Sequence, residues 1–188
     1  MVENVLIRSA KLEDVDGILA IQENCLLKNK TIKSAEKDGF LVYPVRQDEL
    51  NEIINSGEDF LFVAVGKEGI VGYALAHDLN NWRKIKSKWD KRIIVSPKTR
   101  DHLAQDRIIY FRHVARKLSF SSVGAELEDQ VYLAVKNNGF KYVVGEILEH
   151  PISNEKSKEE HEKRGYKKIG QTNYLDGNFW GLYELELK

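Results

Sequence analysis

Asn154, Ser157 and His161 stand three and four residues apart in the run N-E-K-S-K-E-E-H-E-K-R-G-Y that ends at Tyr166. On a helix that spacing stacks them as one stripe. An amide, a hydroxyl and an imidazole on one face can donate and accept hydrogen bonds, and the imidazole, with an ordinary pKa near ~6.5, can move a proton close to neutrality. Every other position from Glu155 to Arg164 is charged. A helix placed only for packing would turn Leu, Ala or Phe toward its neighbour, so this face points to something that needs hydrogen bonds. The competing reading is a fully solvated surface helix whose polar stripe is accidental.

Local physics predicts the helix itself. Ser153 or Asn154 can cap its first N–H groups, and Gly165 can take the left-handed conformation that ends it. Glu155 lies at the positive end of the dipole, with Lys163 and Arg164 at the negative end. Glu159 with Lys163 and Glu160 with Arg164 are expected as i,i+4 pairs worth about 0.2–0.5 kcal/mol each.

The elements around it alternate. Val5 to Arg8 reads as a strand, followed by a helix with Val15, Ile18, Leu19, Gln22 and Leu26 on one face, and by a shorter helix through Leu50, Ile53 and Ile54. Phe60 to Val65 and Ile70 to Ala76 form a hairpin across Gly66-Lys67-Glu68-Gly69. A charged stretch from His77 to Asp106 precedes a strand from Ile108 to Ala115. Ser122 to Gly139 is a helix with Leu127, Val131, Ala134 and Val135 inward. Tyr142 to Leu148 is a buried strand. After the polar helix come strands from Tyr166 to Gly170 and Phe179 to Leu187, joined by a turn at Asp176-Gly177.

Composition narrows the function classes. With 188 residues and 42% hydrophobic content, one core and one domain over residues 1–188 are expected. Net charge is zero, so no overall field draws nucleic acid or an anionic membrane. The single Cys25 cannot form an internal disulfide and reads as a packing residue in a reducing compartment. The opening M-V-E-N-V-L-I-R has no long apolar run, so a cytoplasmic protein without signal peptide or membrane span is expected. No metal is expected either: His161-Glu162 begins like H-E-x-x-H, but Gly165 stands where the second histidine belongs. Neither a P-loop nor a G-x-S-x-G elbow is present.

The order of elements, together with four stretches of sequence, resembles the GNAT superfamily of acyl-CoA-dependent N-acetyltransferases. I-R-S-A-K-L-E-D-V-D-G-I-L-A-I-Q from Ile7 is similar to the family's first strand and helix, F-V-A-V-G-K-E-G-I-V-G-Y-A-L from Phe62 to its central hairpin, and H-V-A from His113 to the end of its fourth strand. Asn154, Ser157, His161 and Gly165-Tyr166 match its N-x-x-[AS]-x-x-x-[YH]-x-x-x-G-[FY] pattern. The resemblance implies a mixed α/β (α+β) fold: a central twisted sheet of about seven strands flanked by about four helices, with the fourth and fifth strands splayed.

It also implies a cosubstrate, acetyl-CoA, and an amine-bearing acceptor that attacks the thioester directly. In the family the pantetheine arm lies in the splay, and the pyrophosphate sits on the N-terminus of the next helix. Carried over here, Val114, Ala115, Ser119, Ser121, Ser122, Val123, Gly124 and Ala125 would hold the cofactor from one side, and Asn154, Ser157 and His161 from the other. His161 takes the place near the sulfur where a tyrosine often stands, as the acid that meets the leaving thiolate. Glu146 and His113 are the candidate bases, with Tyr110 and His150 behind them. For each, a structural hydrogen bond in or beside the sheet is the competing role.

The phosphate loop departs from the family's [RQ]-x-x-G-x-[GA]. Gly124 takes the final glycine, Ser122 replaces the middle one, Ser119 stands for Arg or Gln, and the loop is about two residues short. Ser121 and Ser122 hydroxyls, with charge from Arg116 or Lys117, would have to compensate. That departure feeds a second function class, a non-catalytic GNAT-fold module that binds CoA or a partner. The enzyme is the preferred reading, because Asn154 and His161 have no evident purpose in a purely structural helix.

The stretch at about 78–106 is an insertion between the third and fourth strands. Its basic run from Trp82 to Arg92 invites a nucleic-acid role, but Trp82, Ile85, Trp89 and Ile93 fall at helical spacing and predict rings packed inward. Walling the acceptor cleft or attracting CoA phosphates is the preferred role. A homodimer stays open through pairing of the Leu182 to Leu187 strand.

Overall fold

The computed structural model describes residues 5–105, 107–174 and 177–188. Its strands are β1 (Leu6–Ser9), β2 (Phe60–Gly66), β3 (Gly69–Asp78), β4 (Ile93–Val95), β5 (Ile108–Arg116), β6 (Tyr142–His150), β7 (Lys167–Asn173) and β8 (Phe179–Glu186). The helices are α1 (Val15–Cys25), α2 (Ile32–Asp38), α3 (Gln47–Ser56), α4 (Leu79–Ile85), α5 (Trp89–Arg92), α6 (Pro97–Gln105), α7 (Val123–Asn137) and α8 (Glu155–Lys163). One mixed sheet runs in the order β1-β2-β3-β5-β6-β8-β7-β4. β5 and β6 are parallel, and the other described pairs are antiparallel.

Among the described residues the sheet has eight strands rather than about seven, and there are eight α-helices rather than about four. The extra pieces are short. β4 has three residues, too few for a strand period to register in sequence. α2 shows itself only by its cap, where the Thr31 hydroxyl accepts from the Ser34 N–H at 3.2 Å.

The chain forms two compact units. The first runs through Ala76 and resumes at Arg112–Val135. Its core joins Val15, Ile18 and Ile21 of α1 with Leu50 and Ile53 of α3 and with Val63, Tyr73 and Leu75 of the hairpin. Lys67 and Glu68 form a two-residue turn closed by Gly66 and Gly69, and Gly69, at a φ of 98°, takes the backbone conformation that favours glycine. Gly72 lets α7 approach β3, since a Cβ there would meet the Leu127 and Val123 side chains at 3.1 Å.

The second unit comprises His77–Phe111 and Lys136–Lys188. Leu79, Trp82, Trp89, Ile93 and Leu103, from the segment between β3 and β5, pack with Ile108, Tyr110, Val144 and Leu182 of the sheet. Both indoles are turned inward, as their spacing predicts, which leaves neither face as a stacking platform for a base. Ile85 is a correction: it is 44% exposed. The helix breaks at Lys86, at φ −115° and ψ 64°, so the 3.6-residue phase is not carried from Trp82 to Trp89. β8 is paired on both sides, with β6 and with β7, so its edges are used within the chain. Asp176 of the expected turn lies outside the described residues.

Candidate functional site

α8 forms where the sequence predicts, and its stripe is stitched together internally. Asn154 is the cap: its side-chain oxygen accepts from the Ser157 N–H at 3.3 Å. The Ser157 carbonyl in turn accepts from His161 Nδ1 at 2.8 Å. A carbonyl can only accept, so Nδ1 carries the proton and the lone pair of the neutral ring is on Nε2. Burial pushes the His161 pKa below its ordinary value, against the pull of the Ser157 carbonyl and of Glu160. Of the two predicted caps it is Asn154 that closes the helix start, and this gives it a structural purpose. The expected ion pairs differ too: Glu160 takes both Lys156 at 2.8 Å and Lys163 at 3.3 Å.

His161 Nε2 faces β6 at Gly145, where a Cβ would lie 3.6 Å from it and 3.5 Å from the Phe111 carbonyl oxygen. This is the end of a register. β5 and β6 pair from Ile108↔Tyr142 to Phe111↔Gly145, although β6 runs on to His150. The backbone that leaves the ladder here carries N–H and C=O groups suited to an extended amide ligand.

Side chains alternate along a strand, so Glu146 faces away from α8 and toward the insertion. Its Oε2 accepts from Tyr110 at 2.6 Å and from Tyr174 at 2.9 Å. Among the described residues Oε1, the Trp89 indole N–H and the Thr172 hydroxyl are sealed from solvent without a well-aligned partner. Burial raises the Glu146 pKa, and the nearby Thr172, Tyr110, Tyr174 and Trp89 donors oppose the rise. The residue keeps some accessible surface while Oε1 is enclosed.

Aromatic rings hold this carboxyl in place. Trp82 stacks on Tyr110 at 4.0 Å and 8°, with His77 on the outer side of Trp82 at 5.6 Å. Trp89 meets Tyr110 edge-on at 6.1 Å. Thr172, Tyr174 and Trp89 escaped the sequence reading of the site; only the two insertion tryptophans gave a signal, as packing residues. His150 lies exposed at the end of β6 against Phe179 at 5.9 Å.

In the first unit His113 is buried, with Nδ1 3.2 Å from the Tyr73 hydroxyl. That hydroxyl also lies 3.3 Å from Gln22 Oε1, and Gln22 bonds both backbone groups of Val45. His113 therefore belongs to a polar network inside the core of that unit. Arg112 beside it is buried against Glu49 at 2.5 Å. Cys25 is part-buried, its thiol 3.7 Å from the Arg116 carbonyl and raised in pKa by burial.

Val114 and Ala115 end β5, and the predicted phosphate loop follows. Lys117 donates to the Val71 carbonyl at 2.8 Å, and Phe120 back to Lys117 at 3.0 Å, closing a turn that contains Ser119. Ser121 and Ser122 lead into α7, which begins at Val123 and continues through Gly124 and Ala125. Gly124 has room: a Cβ would meet the Arg116 side chain at 3.6 Å. Arg116 Nη1 donates to the Lys117 and Leu118 carbonyls at 3.3 and 3.4 Å, folding its guanidinium over the loop. A cation beside a helix start can hold an anion; of the N–H groups here, that of Val123 is given to the Phe120 carbonyl at 3.3 Å.

Among the described residues no three His, Cys, Asp or Glu side chains are grouped to hold a metal ion, and no helix is long and apolar enough to cross a membrane. No family model and no curated protein matches the chain. Solved structures do. An N-acetyltransferase from Staphylococcus aureus superposes with a TM-score of 0.63 at 20% identity, over 98% of this chain and 99% of that one. A GNAT-family acetyltransferase from Listeria monocytogenes gives 0.58 at 17% identity, over 97% and 95%. A Salmonella typhimurium protein solved with its cofactor acetyl-CoA gives 0.62 at 16% identity, over 98% and 95%. Together with the mixed sheet, this coverage of nearly the whole chain shows that the protein has the GNAT fold.

Proposed function

We propose that the protein is a single-domain N-acetyltransferase that moves an acetyl group from acetyl-CoA to a primary amine by direct attack. The observation that carries this reading is the enclosed Glu146 carboxyl, one residue from the Gly145 backbone that faces His161 Nε2. A carboxyl whose pKa is raised by burial is a better proton acceptor than an exposed one, and an amine must lose a proton before it can attack.

In this mechanism Glu146 takes a proton from the acceptor ammonium. The freed nitrogen attacks the thioester carbonyl, and the tetrahedral intermediate collapses with cleavage of the C–S bond. His161 starts with its lone pair on Nε2, so it accepts the second nitrogen proton and passes it to the leaving thiolate. That sharpens the acid role assigned to it by sequence. His113, tied into the Tyr73 and Gln22 network, has no chemical part.

For acetyl-CoA, the β6 backbone from Gly145 on, where the β5–β6 register ends, and Nε2 suit the pantetheine amides and the sulfur, and Asn154 and Ser157 act by holding α8. Ser121, Ser122 and the start of α7 at Gly124 and Ala125, with Arg116 across Gly124, suit the pyrophosphate, while the Val123 N–H is engaged by the Phe120 carbonyl at 3.3 Å. This supports cofactor binding despite the missing middle glycine.

Calorimetric titration with acetyl-CoA tests the first half of the reading, and a thiol-release assay over primary amines tests the second. Saturable binding with amine-dependent thiol release is expected. Binding without release from any amine would favour the non-catalytic CoA-binding module, and no binding at millimolar acetyl-CoA would overturn both.

A further inference from the structure

The Arg92 guanidinium lies over the face of Tyr174, 5.0 Å from the ring centroid, while the hydroxyl of that ring donates to Glu146 at 2.9 Å. Anion and cation are thus held one phenol ring apart. Arg92 is half-buried at the end of α5, and among the described residues it meets no carboxylate. Two acids of the unit are otherwise engaged: Asp90 bonds Arg83 at 3.1 Å, and Glu149 on β6 is bound by Lys168 and by the Tyr183 hydroxyl. An arginine stacked flat on an aromatic ring keeps its N–H edge available for a second, in-plane partner.

We infer that Arg92 receives the carboxylate of the acceptor, which makes the acceptor an amino acid, an amine carrying its own carboxylate, rather than a simple amine or polyamine. This rests on the reading of Glu146 as the group that receives the acceptor's nitrogen. A molecule lying along Tyr174 with its ammonium at Glu146 presents a group a few bonds away to the guanidinium. A planar monoanion matches a lone guanidinium bidentately. A phosphomonoester, with a charge of roughly −1.5 to −2 at neutral pH, would leave excess charge beside Glu146. A second cationic group on the acceptor would face Arg92 with like charge.

The test is thiol release from acetyl-CoA with matched acceptors: L-phenylalanine, L-valine and L-alanine, each beside its decarboxylated amine and its methyl ester, and phosphoethanolamine beside ethylamine. Wild type is expected to favour the free amino acids by about tenfold or more in kcat/KM over both analogues. Arg92→Met should erase that preference by raising KM for the amino acids, with the rate on the decarboxylated amines and the affinity for acetyl-CoA unchanged. Arg92→Lys should restore part of it. Equal rates on acids and amines in wild type would overturn the assignment, as would preference for phosphoethanolamine, equal losses on both acceptor classes in Arg92→Met, or acetyl-CoA binding with no amino acid turned over. Failure to bind acetyl-CoA at all would instead remove the acetyltransferase reading beneath it.

Discussion

Gly145 puts no side chain against His161 Nε2: a Cβ at this position would lie 3.6 Å from the imidazole nitrogen. The same point lies 3.5 Å from the Phe111 carbonyl, and both distances are ordinary contacts that a methyl group fills without a clash.

Gly145→Ala should therefore fold normally, within about 1 kcal/mol of wild type. The added methyl would cover Nε2 and the backbone where the β5–β6 register ends. Acetyl-CoA affinity should fall by about tenfold or more, measured by calorimetry beside a thermal melt. Unchanged affinity would place the thioester away from this strand.

His161 also predicts a pH dependence of stability. Burial lowers its folded-state pKa, so below about pH 6.5, the ordinary imidazole value, the unfolded chain binds more protons than the native one. Its contribution is present above that value and is lost as pH falls through the lower folded pKa. Urea melts from pH 7.5 to 5 should show this acid loss in wild type. His161→Phe should flatten it, and an unflattened profile would mean that the imidazole is already protonated in the native state.

Glu146 carries the opposite sign. Its folded pKa is raised, so the native state holds the proton longer, and stability is lost as pH rises through the folded value. Glu146→Gln keeps the shape, removes that loss and should be at least as stable as wild type at pH 8. Turnover should drop by about 10²–10⁴-fold, the usual worth of a positioned base. A drop in both turnover and stability would instead mark the carboxyl as structural.

Much of this arrangement is legible in the sequence because it is local. The α8 stripe, its Asn154 cap and its Gly165 stop, at φ 90°, lie within one run of residues. The β2–β3 hairpin is written in its turn, and α7 in its period. What escapes is non-local or short. Tyr174 and Thr172 reach Glu146 because β8, which carries β7 beside it, pairs with β6, a long-range contact that the local turn does not announce. β4 is a strand by virtue of its partner β7. His113 reads as a base because a histidine at a strand end has no visible neighbour in sequence; the fold supplies Tyr73 and Gln22.

Arg116 offers a test of the shortened phosphate loop. Its guanidinium is folded over the loop carbonyls beside Gly124, where it can add charge to a loop that has Ser119 for Arg or Gln and Ser122 for the middle glycine. Arg116→Gln should weaken acetyl-CoA by about tenfold, and the loss should shrink as salt is raised, because exposed charges are screened. Dephospho-CoA and CoA should lose equally if the pyrophosphate is the partner. A loss confined to CoA would move Arg116 to the 3′-phosphate.

Trp89 separates packing from electrostatics at the same carboxyl. Trp89→Ala should cost about 3–5 kcal/mol, because the ring is almost fully buried among Tyr110, Leu79 and Ile93. Trp89→Phe keeps most of that volume and removes only the indole N–H, one of the donors that favour the charged form of Glu146. Without it the carboxyl pKa should rise further, and the acid limb of the kcat/KM profile should move to higher pH while the plateau rate is retained. A limb that stays in place in Trp89→Phe, yet vanishes in Glu146→Gln, would show that the indole acts on Glu146 through packing alone.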